Sequence, residues 1–523
     1  KMMAERRHSS KKGAHASLIL ACLIALLHRG LANYHITQVT LLIRHGTREL
    51  LGRDRITQAD GVQLVHLTET GVEQMKQIGQ DLKDRYVCPS GQGHIDGLTG
   101  SYQEDRSAYF SLSSDTERTL MTAAAFNQGL WSGCNATYDG LGTDPYAGVV
   151  PVHSVAARDD LMLLGYKNCP AFHDKVEEFY SSPEFTGLAA QEEDFLTRLY
   201  GCFQDEVASL SEGAGLSDAQ RTLADMASLW DYAATAELAA PGALANATGG
   251  ACSSADVPLM EVLANHVEHG KYTTDGAGVY LGSRFIREAA YAATERAGFD
   301  AWGRGVAHGW EEAAHLVHTP LPHFREREDV ALAAYAAHYP TLKGVLAALG
   351  TSVADQLPVV PAWGAALALE LHEHESGAVA PAVGLRYHAG VNGTFELLDL
   401  SSLRGAADGG VPSLGASFVT LGDFLARVEQ QVYATDAAWC AGCGNDEAAA
   451  CLAAELALLR SELGEDVVGA YATAVTLALF GGVALGALGY CTMQRYACRR
   501  KRAGEEEEEG AVEFGWPPAE PPR

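Results

Sequence analysis

Positive charge is scarce in this chain. It carries 38 Lys and Arg against 66 Asp and Glu, a formal charge of −28. That balance excludes a non-specific nucleic-acid binder, which needs a basic face, so no nucleic-acid partner is expected. No internal repeat is evident, which excludes a repeat array. Cys440-Ala-Gly-Cys443 has no second Cys-x-x-Cys to accompany it, which removes the usual paired zinc motif. The apolar run over 467–490 shows no polar face, as an ordinary core helix of that length would. What remains is 523 residues of globular composition, 47% hydrophobic and 20% charged. That is enough for one large or two ordinary domains.

Two apolar segments frame the chain. Arg6, Arg7, Lys11 and Lys12 precede SLILACLIALL, a run too short to span a bilayer, and Ala32 offers a cleavage point. Residues 1–32 therefore read as a secretory signal peptide. The second run, 467–490, holds 24 uncharged residues, long enough to cross a hydrocarbon core of ~30 Å. Arg495, Arg499, Arg500, Lys501 and Arg502 follow it and mark the cytosolic side. The reading is a single-pass type I membrane protein of the cell surface or an endosomal or lysosomal membrane. The body is then lumenal or extracellular, anchored by one transmembrane helix.

Eight of the 11 cysteines lie between the two runs. An even count in an oxidising compartment predicts disulfides, with 105 pairings open. Cys440 and Cys443 read as structural rather than redox or zinc cysteines. Glycosylation sequons at Asn135, Asn246 and Asn392 fall on the same side of the membrane. Gly482 and Gly486 are a small-xxx-small pair in the second run, a candidate homodimer contact.

Apolar, β-rich ITQVTLLIR (36–44) predicts a buried strand. Residues 68–86 place Val72, Met75, Ile78, Gly79 and Leu82 on one helical face. Strands at 108–114 and 148–155 bracket a helix at 115–131, with Asp115 as a cap. Strands alternating with helices imply an α/β fold, a three-layer sandwich around a mostly parallel sheet. Ala- and Glu-rich helical segments then predict a cap insertion. A strand at 329–338, a helix at 340–350 and a hairpin from 365–373 and 383–391 resume the core. The domain reading is 1–32 signal; 33–155 first part of the core; 156–315 helical cap; 316–435 second part of the core. A juxtamembrane segment with cysteines (436–466), the membrane helix (467–490) and the cytosolic tail (491–523) follow.

The chemistry gathers where the first strand ends, in LLIRHGTREL (41–50). Sheets of this type place ligands at the carboxyl ends of strands. Arg44 and Arg48 offer forked donors suited to phosphate oxygens. A neutral imidazole among them, His45, can attack phosphorus while the guanidiniums stabilise the equatorial oxygens. A surface loop with stray basic residues would carry the same letters.

The wider pattern resembles the histidine acid phosphatases, a branch of the histidine phosphatase superfamily. That family opens with a strand followed by Arg-His-Gly-x-Arg, here RHGTR. HLTETGVEQMKQIGQDLKDRY is similar to its Leu-Thr-x-x-Gly-x-x-Gln helix. LSSDTERTLMTAAAFNQGLW is similar to the segment bearing a further phosphate-binding arginine. VPVHSV, DDLMLLGYKNCP and HYPTLKGVLAALG match in order and spacing, so that the likeness covers roughly 36–430. The resemblance implies hydrolysis of phosphomonoesters in two steps. His45 would be the nucleophile, Arg44, Arg48 and Arg118 would hold the phosphoryl group, and His338 would complete the pocket. It implies no metal and no other cofactor.

One departure bears on the chemistry. The family carries His-Asp, or His-Ala-Glu, in its late motif, and the acid protonates the leaving alcohol. Here Tyr339 stands at that place. Tyrosine, with an ordinary pKa of about 10, is a poorer donor than a carboxylic acid. Glu373 and Glu375 in LHEHES, or Asp115, are candidate replacements, and LHEHES alone would also suit a metal. Leu50 in place of a proline is a minor change. The alternative to an enzyme is a catalytically impaired member that binds phosphorylated ligands. A mutase-like transferase is disfavoured, because that branch carries Glu where this chain has Thr47.

Overall fold

The computed structural model describes residues 34–49, 65–134, 149–210, 215–273, 277–298, 329–357, 360–377, 379–405, 411, 414–433 and 435–463. The signal (1–32), the apolar run (467–490), the tail (491–523) and Asn135 lie outside the described residues. Among the described residues, no helix is long and apolar enough to cross a membrane.

The strands are β1 (Tyr34–Arg44), β2 (Tyr109–Ser114), β3 (His153–Val155), β4 (Leu332–Ala337), β5 (Ala366–His374), β6 (Ala382–His388), β7 (Phe395–Leu397) and β8 (Val419–Thr420). The helices used below are α1 (Glu69–Leu82), α2 (Glu117–Leu130), α3 (Met226–Ala239), α4 (Ala277–Arg296), α5 (Tyr339–Leu349), α6 (Leu421–Gln431), α7 (Asp436–Cys443) and α8 (Ala449–Leu463).

One sheet runs β3-β2-β4-β1-β5-β6-β7, with β8 paired to β6. β3, β2, β4 and β1 are mutually parallel. β5 lies antiparallel to β1, and β6, β7 and β8 continue antiparallel. The sheet is therefore mixed, and the expectation of a mostly parallel one is corrected. The hairpin of β5 and β6 forms, but it docks beside the central strand and makes the second half of the sheet. A strand buried on both faces reads as an apolar run in either direction.

Alternation along β1 sends its side chains to two cores. Val39, Leu41 and Ile43 meet Met75, Ile78 and Leu82 of α1 and Phe126 and Leu130 of α2. Leu42 joins Phe285 and Ile286 of α4, Val345 of α5 and Phe424 of α6 on the other face. Helices thus cover both faces of the sheet. A separate core holds Phe179, Phe185, Leu199, Phe203, Met226 and Leu229, all between β3 and β4 in sequence.

Two buried ion clusters tie distant segments. Glu370 of β5 accepts from Arg85 at 3.0 Å, Tyr86 at 2.8 Å and Arg386 at 2.9 Å, and pairs with His372 at 3.0 Å. Asp436 pairs with Arg284 at 2.8 Å and with Arg287. Disulfides join Cys88 to Cys134, Cys169 to Cys443, Cys202 to Cys252 and Cys440 to Cys451. The two cysteines of Cys-Ala-Gly-Cys share α7 but take different partners, which agrees with a structural rather than a redox pair.

The described residues divide into two units, 34–454 and 455–463. Of the second unit, only the end of α8 is described.

Candidate active site

Three parallel strands end together. Arg44, the last residue of β1, pairs with Ala337, the last residue of β4, and Ser113 pairs with Ala336. His45 N donates to Ala337 O at 3.0 Å. The register thus brings His45, Ser114 and His338 to one sheet edge, although they lie far apart in sequence. His338 is extended and precedes α5 without capping it, so its ring is not used by the helix. Pro340 sits in the first turn of α5, where a missing N–H costs nothing.

Arg44, His45 and His338 are buried, as is Arg118 in the first turn of α2. The His45 and His338 rings lie 5.3 Å apart, edge to face. His45 Nδ1 is 2.9 Å from Gly46 O. A carbonyl only accepts, so Nδ1 carries the hydrogen and Nε2 presents its lone pair. Arg118 Nη2 lies 3.3 Å from His338 Nδ1, and Ser114 Oγ lies 3.1 Å from His338 Nε2. A guanidinium only donates, so His338 accepts at Nδ1 and donates from Nε2 to Ser114.

Electrostatics keep both rings neutral. Burial, then Arg118, Arg44 and Arg48, hold His45 well below the usual histidine range. Burial, Arg118, His45 and Lys167 do the same to His338. Burial brings Arg118 down to about 10, helped by Arg48 and Arg44. Its Nε and Nη1 are buried without a partner among the described residues. Buried donors of this kind suit the oxygens of an anion.

The loop after β1 is held from α1. Thr47 N and Oγ1 both donate to Gln74 Oε1, at 2.9 and 2.7 Å, and Thr68 N donates to Thr47 O at 3.0 Å. A Cβ on Gly71 would lie 1.9 Å from Thr47 O, so only glycine allows this approach.

The motifs gave no sign of Asp231. This residue of α3 places its carboxylate 2.8 Å from Arg44 Nη2 and 2.7 Å from Arg48 Nη2. Arg44 also donates to Pro361 O and stands over the Tyr339 and Trp363 rings, at 5.3 and 5.6 Å. Nothing in the spacing around Asp231 sets it apart from the other acids of the helical region.

Tyr339 follows His338 into the site and packs on the core that contains α3. Burial, then Glu268, pushes its hydroxyl well above the usual tyrosine value. The candidate replacement acids of LHEHES are remote. Glu373 pairs with His35 and His372 with Ile36, at the far end of β1 from Arg44. Eight residue steps along the strand lead from Ile36 to Arg44, about 26 Å. Thr116 rather than Asp115 stands at the N-cap of α2. Among the described residues, no group of three or more His, Cys, Asp or Glu is arranged to hold a metal ion. Asn246 and Asn392 are exposed.

Fold and site together define an α/β protein with a buried cluster of arginines around two neutral histidines. The pattern of the histidine phosphatase superfamily (branch 2) matches residues 56–229. The chain is 32% identical over 182 residues to prostatic acid phosphatase of Mus musculus, covering 33% of this chain and 42% of that protein. It is 30% identical over 194 residues to prostatic acid phosphatase of Homo sapiens, covering 35% and 47%. Lysosomal acid phosphatase of Xenopus laevis is 30% identical over 200 residues, covering 37% and 40%. In these matches the chain spans less than half the length of each relative. The apo form of Hafnia alvei phytase aligns with a TM-score of 0.52 and 15% identity, over 79% of this chain and 98% of that one. That likeness shows the fold alone.

Proposed function

We propose that this chain is a membrane-anchored phosphomonoesterase of the acid phosphatase type, working through a phosphohistidine. His45 Nε2 attacks phosphorus, and Arg44, Arg48 and Arg118 hold the phosphoryl oxygens. His338 lines the pocket beside the nucleophile and fixes the Arg118 guanidinium. Water then releases phosphate from His45. The observation that carries the reading is the His45 ring. Its Nδ1 is occupied by Gly46 O and its Nε2 lone pair is kept neutral by burial among three guanidiniums. The helices that build the separate core, α3 among them, form the cap that selects the alcohol part of the substrate.

The four disulfides fit an oxidising compartment. Together with the two apolar runs they support a type I topology, with the pocket lumenal or extracellular. Exposed Asn246 and Asn392 fit glycosylation on that side, and Gly482 and Gly486 fit a homodimer contact in the membrane. A second reading, an impaired phosphatase that binds phosphorylated ligands, draws on Tyr339, whose hydroxyl is held above its usual value.

Hydrolysis of p-nitrophenyl phosphate by the purified full chain distinguishes the two. The enzyme reading predicts turnover between pH 4 and 7 that His45→Ala abolishes. No turnover, with phosphate still raising the melting temperature, would favour the binding protein.

A further inference from the structure

Asp231 belongs to the site, yet neither the motifs nor the proposed chemistry uses it. Its carboxylate is 7% exposed and spans Arg44 Nη2 and Arg48 Nη2. It therefore occupies the place that phosphoryl oxygens would take. It arrives on α3, from a core separate from the sheet, whereas His45 arrives from the end of β1. In-line displacement sends the leaving oxygen away from the attacking nitrogen. Asp231 touches the two guanidiniums that would hold the phosphoryl group, which puts its carboxyl within reach of an ester oxygen bound there. An alkoxide is a poor leaving group without a proton. Tyr339, at the place where the resemblance expects an acid, holds its proton too firmly to serve well.

We infer that Asp231 donates the proton to the leaving oxygen, in place of an acid at position 339. This inference rests on the phosphomonoesterase reading above. The groups facing Asp231 are Arg44 and Arg48 from the β1 loop, with Arg118 of α2 and Tyr339 of α5 nearby.

The steps balance. A monoester monoanion enters, and Arg44 and Arg48 turn their donors from the carboxylate to phosphate oxygens. Asp231, now beside an anion, takes up the proton that the monoanion carried. The bond from His45 Nε2 to phosphorus forms as the ester P–O bond breaks. The ester oxygen receives the Asp231 proton and leaves as the alcohol. The Asp231 carboxylate next removes a proton from water, whose oxygen attacks phosphorus as the N–P bond breaks. The proton returns to the departing phosphate.

The test compares p-nitrophenyl phosphate, which has a good leaving group, with glycerol 2-phosphate, which has a poor one. The full chain, Asp231→Asn and Asp231→Glu are assayed for kcat and KM. Loss of a general acid predicts that Asp231→Asn lowers kcat on glycerol 2-phosphate by about 10²–10⁴-fold, and on p-nitrophenyl phosphate by about tenfold or less. Asp231→Glu should restore part of the loss. An Asp231→Asn variant with lower KM and undiminished kcat on both substrates would overturn the inference, leaving Asp231 as a competitor for the anion's place. An equal fall on both would overturn it too, leaving a structural role. Wild type inert on both substrates would instead remove the phosphomonoesterase reading, so the two failures are separable.

Discussion

Replacing Gly71 by alanine tests how the loop after β1 is held in place. The added Cβ would stand 1.9 Å from Thr47 O, where real Cβ contacts stay beyond 3.0 Å. Gly71 lies in the first turn of α1, and Thr68 caps that turn by accepting from Gly71 N at 3.0 Å. The helix cannot easily retreat, because Met75, Ile78 and Leu82 of the same face are fully buried against the sheet. The strain therefore falls on Thr47, between His45 and Arg48. Relief takes about 1 Å, and a misplacement of that size at a reacting group costs about 10²-fold in rate. Overpacking itself should cost about 1–3 kcal/mol of stability. The assay is kcat/KM on p-nitrophenyl phosphate beside a thermal melt. Unchanged kcat/KM with an unchanged melt would refute the claim that α1 sets the loop.

Two further outcomes follow from buried charges. At Glu370, burial alone would raise the carboxyl, but His372, Arg386 and Arg85 outweigh it and hold it at about 2 against an ordinary 4.5. That difference corresponds to about 3 kcal/mol. A lowered carboxyl stabilises the fold above the unfolded value and loses that contribution as pH falls from 4.5 toward 2. Glu370→Gln should lower stability at pH 7 by about 3–5 kcal/mol, and denaturant melts of mutant and wild type should converge near pH 2. Arg118→Ala removes two buried donors that lack partners. It should weaken phosphate binding about 10–100-fold, read as a smaller phosphate-induced rise in melting temperature.

Much of this was legible in the sequence, for local reasons. An apolar β-rich run ending in RHGTR marked a buried strand, and the structure brings Arg118 and His338 close to the residues that follow it. What was not legible depends on long-range register. β5 carries the same apolar signature whether it runs with or against β1, so the mixed sheet could not be read. The Cys-Ala-Gly-Cys spacing says nothing of Cys169 or Cys451, the partners those thiols take. LHEHES looked chemical because His and Glu alternate, yet pairing with the start of β1 puts it at the wrong end of the sheet. Asp231 is the clearest omission. An acid in the helical region carries no local mark, and only the docking of its helix over Arg44 and Arg48 gives it meaning.

The central claim is that His45 becomes covalently phosphorylated. Acid-labile, alkali-stable phosphate is the signature of a phosphorylated imidazole. The full chain, mixed with p-nitrophenyl phosphate, quenched in alkali within milliseconds and digested, should yield one modified peptide carrying phosphate on His45. The label should disappear on longer incubation and be absent from His45→Ala. Turnover of the substrate with no label on His45, or with the label on another residue, would contradict it.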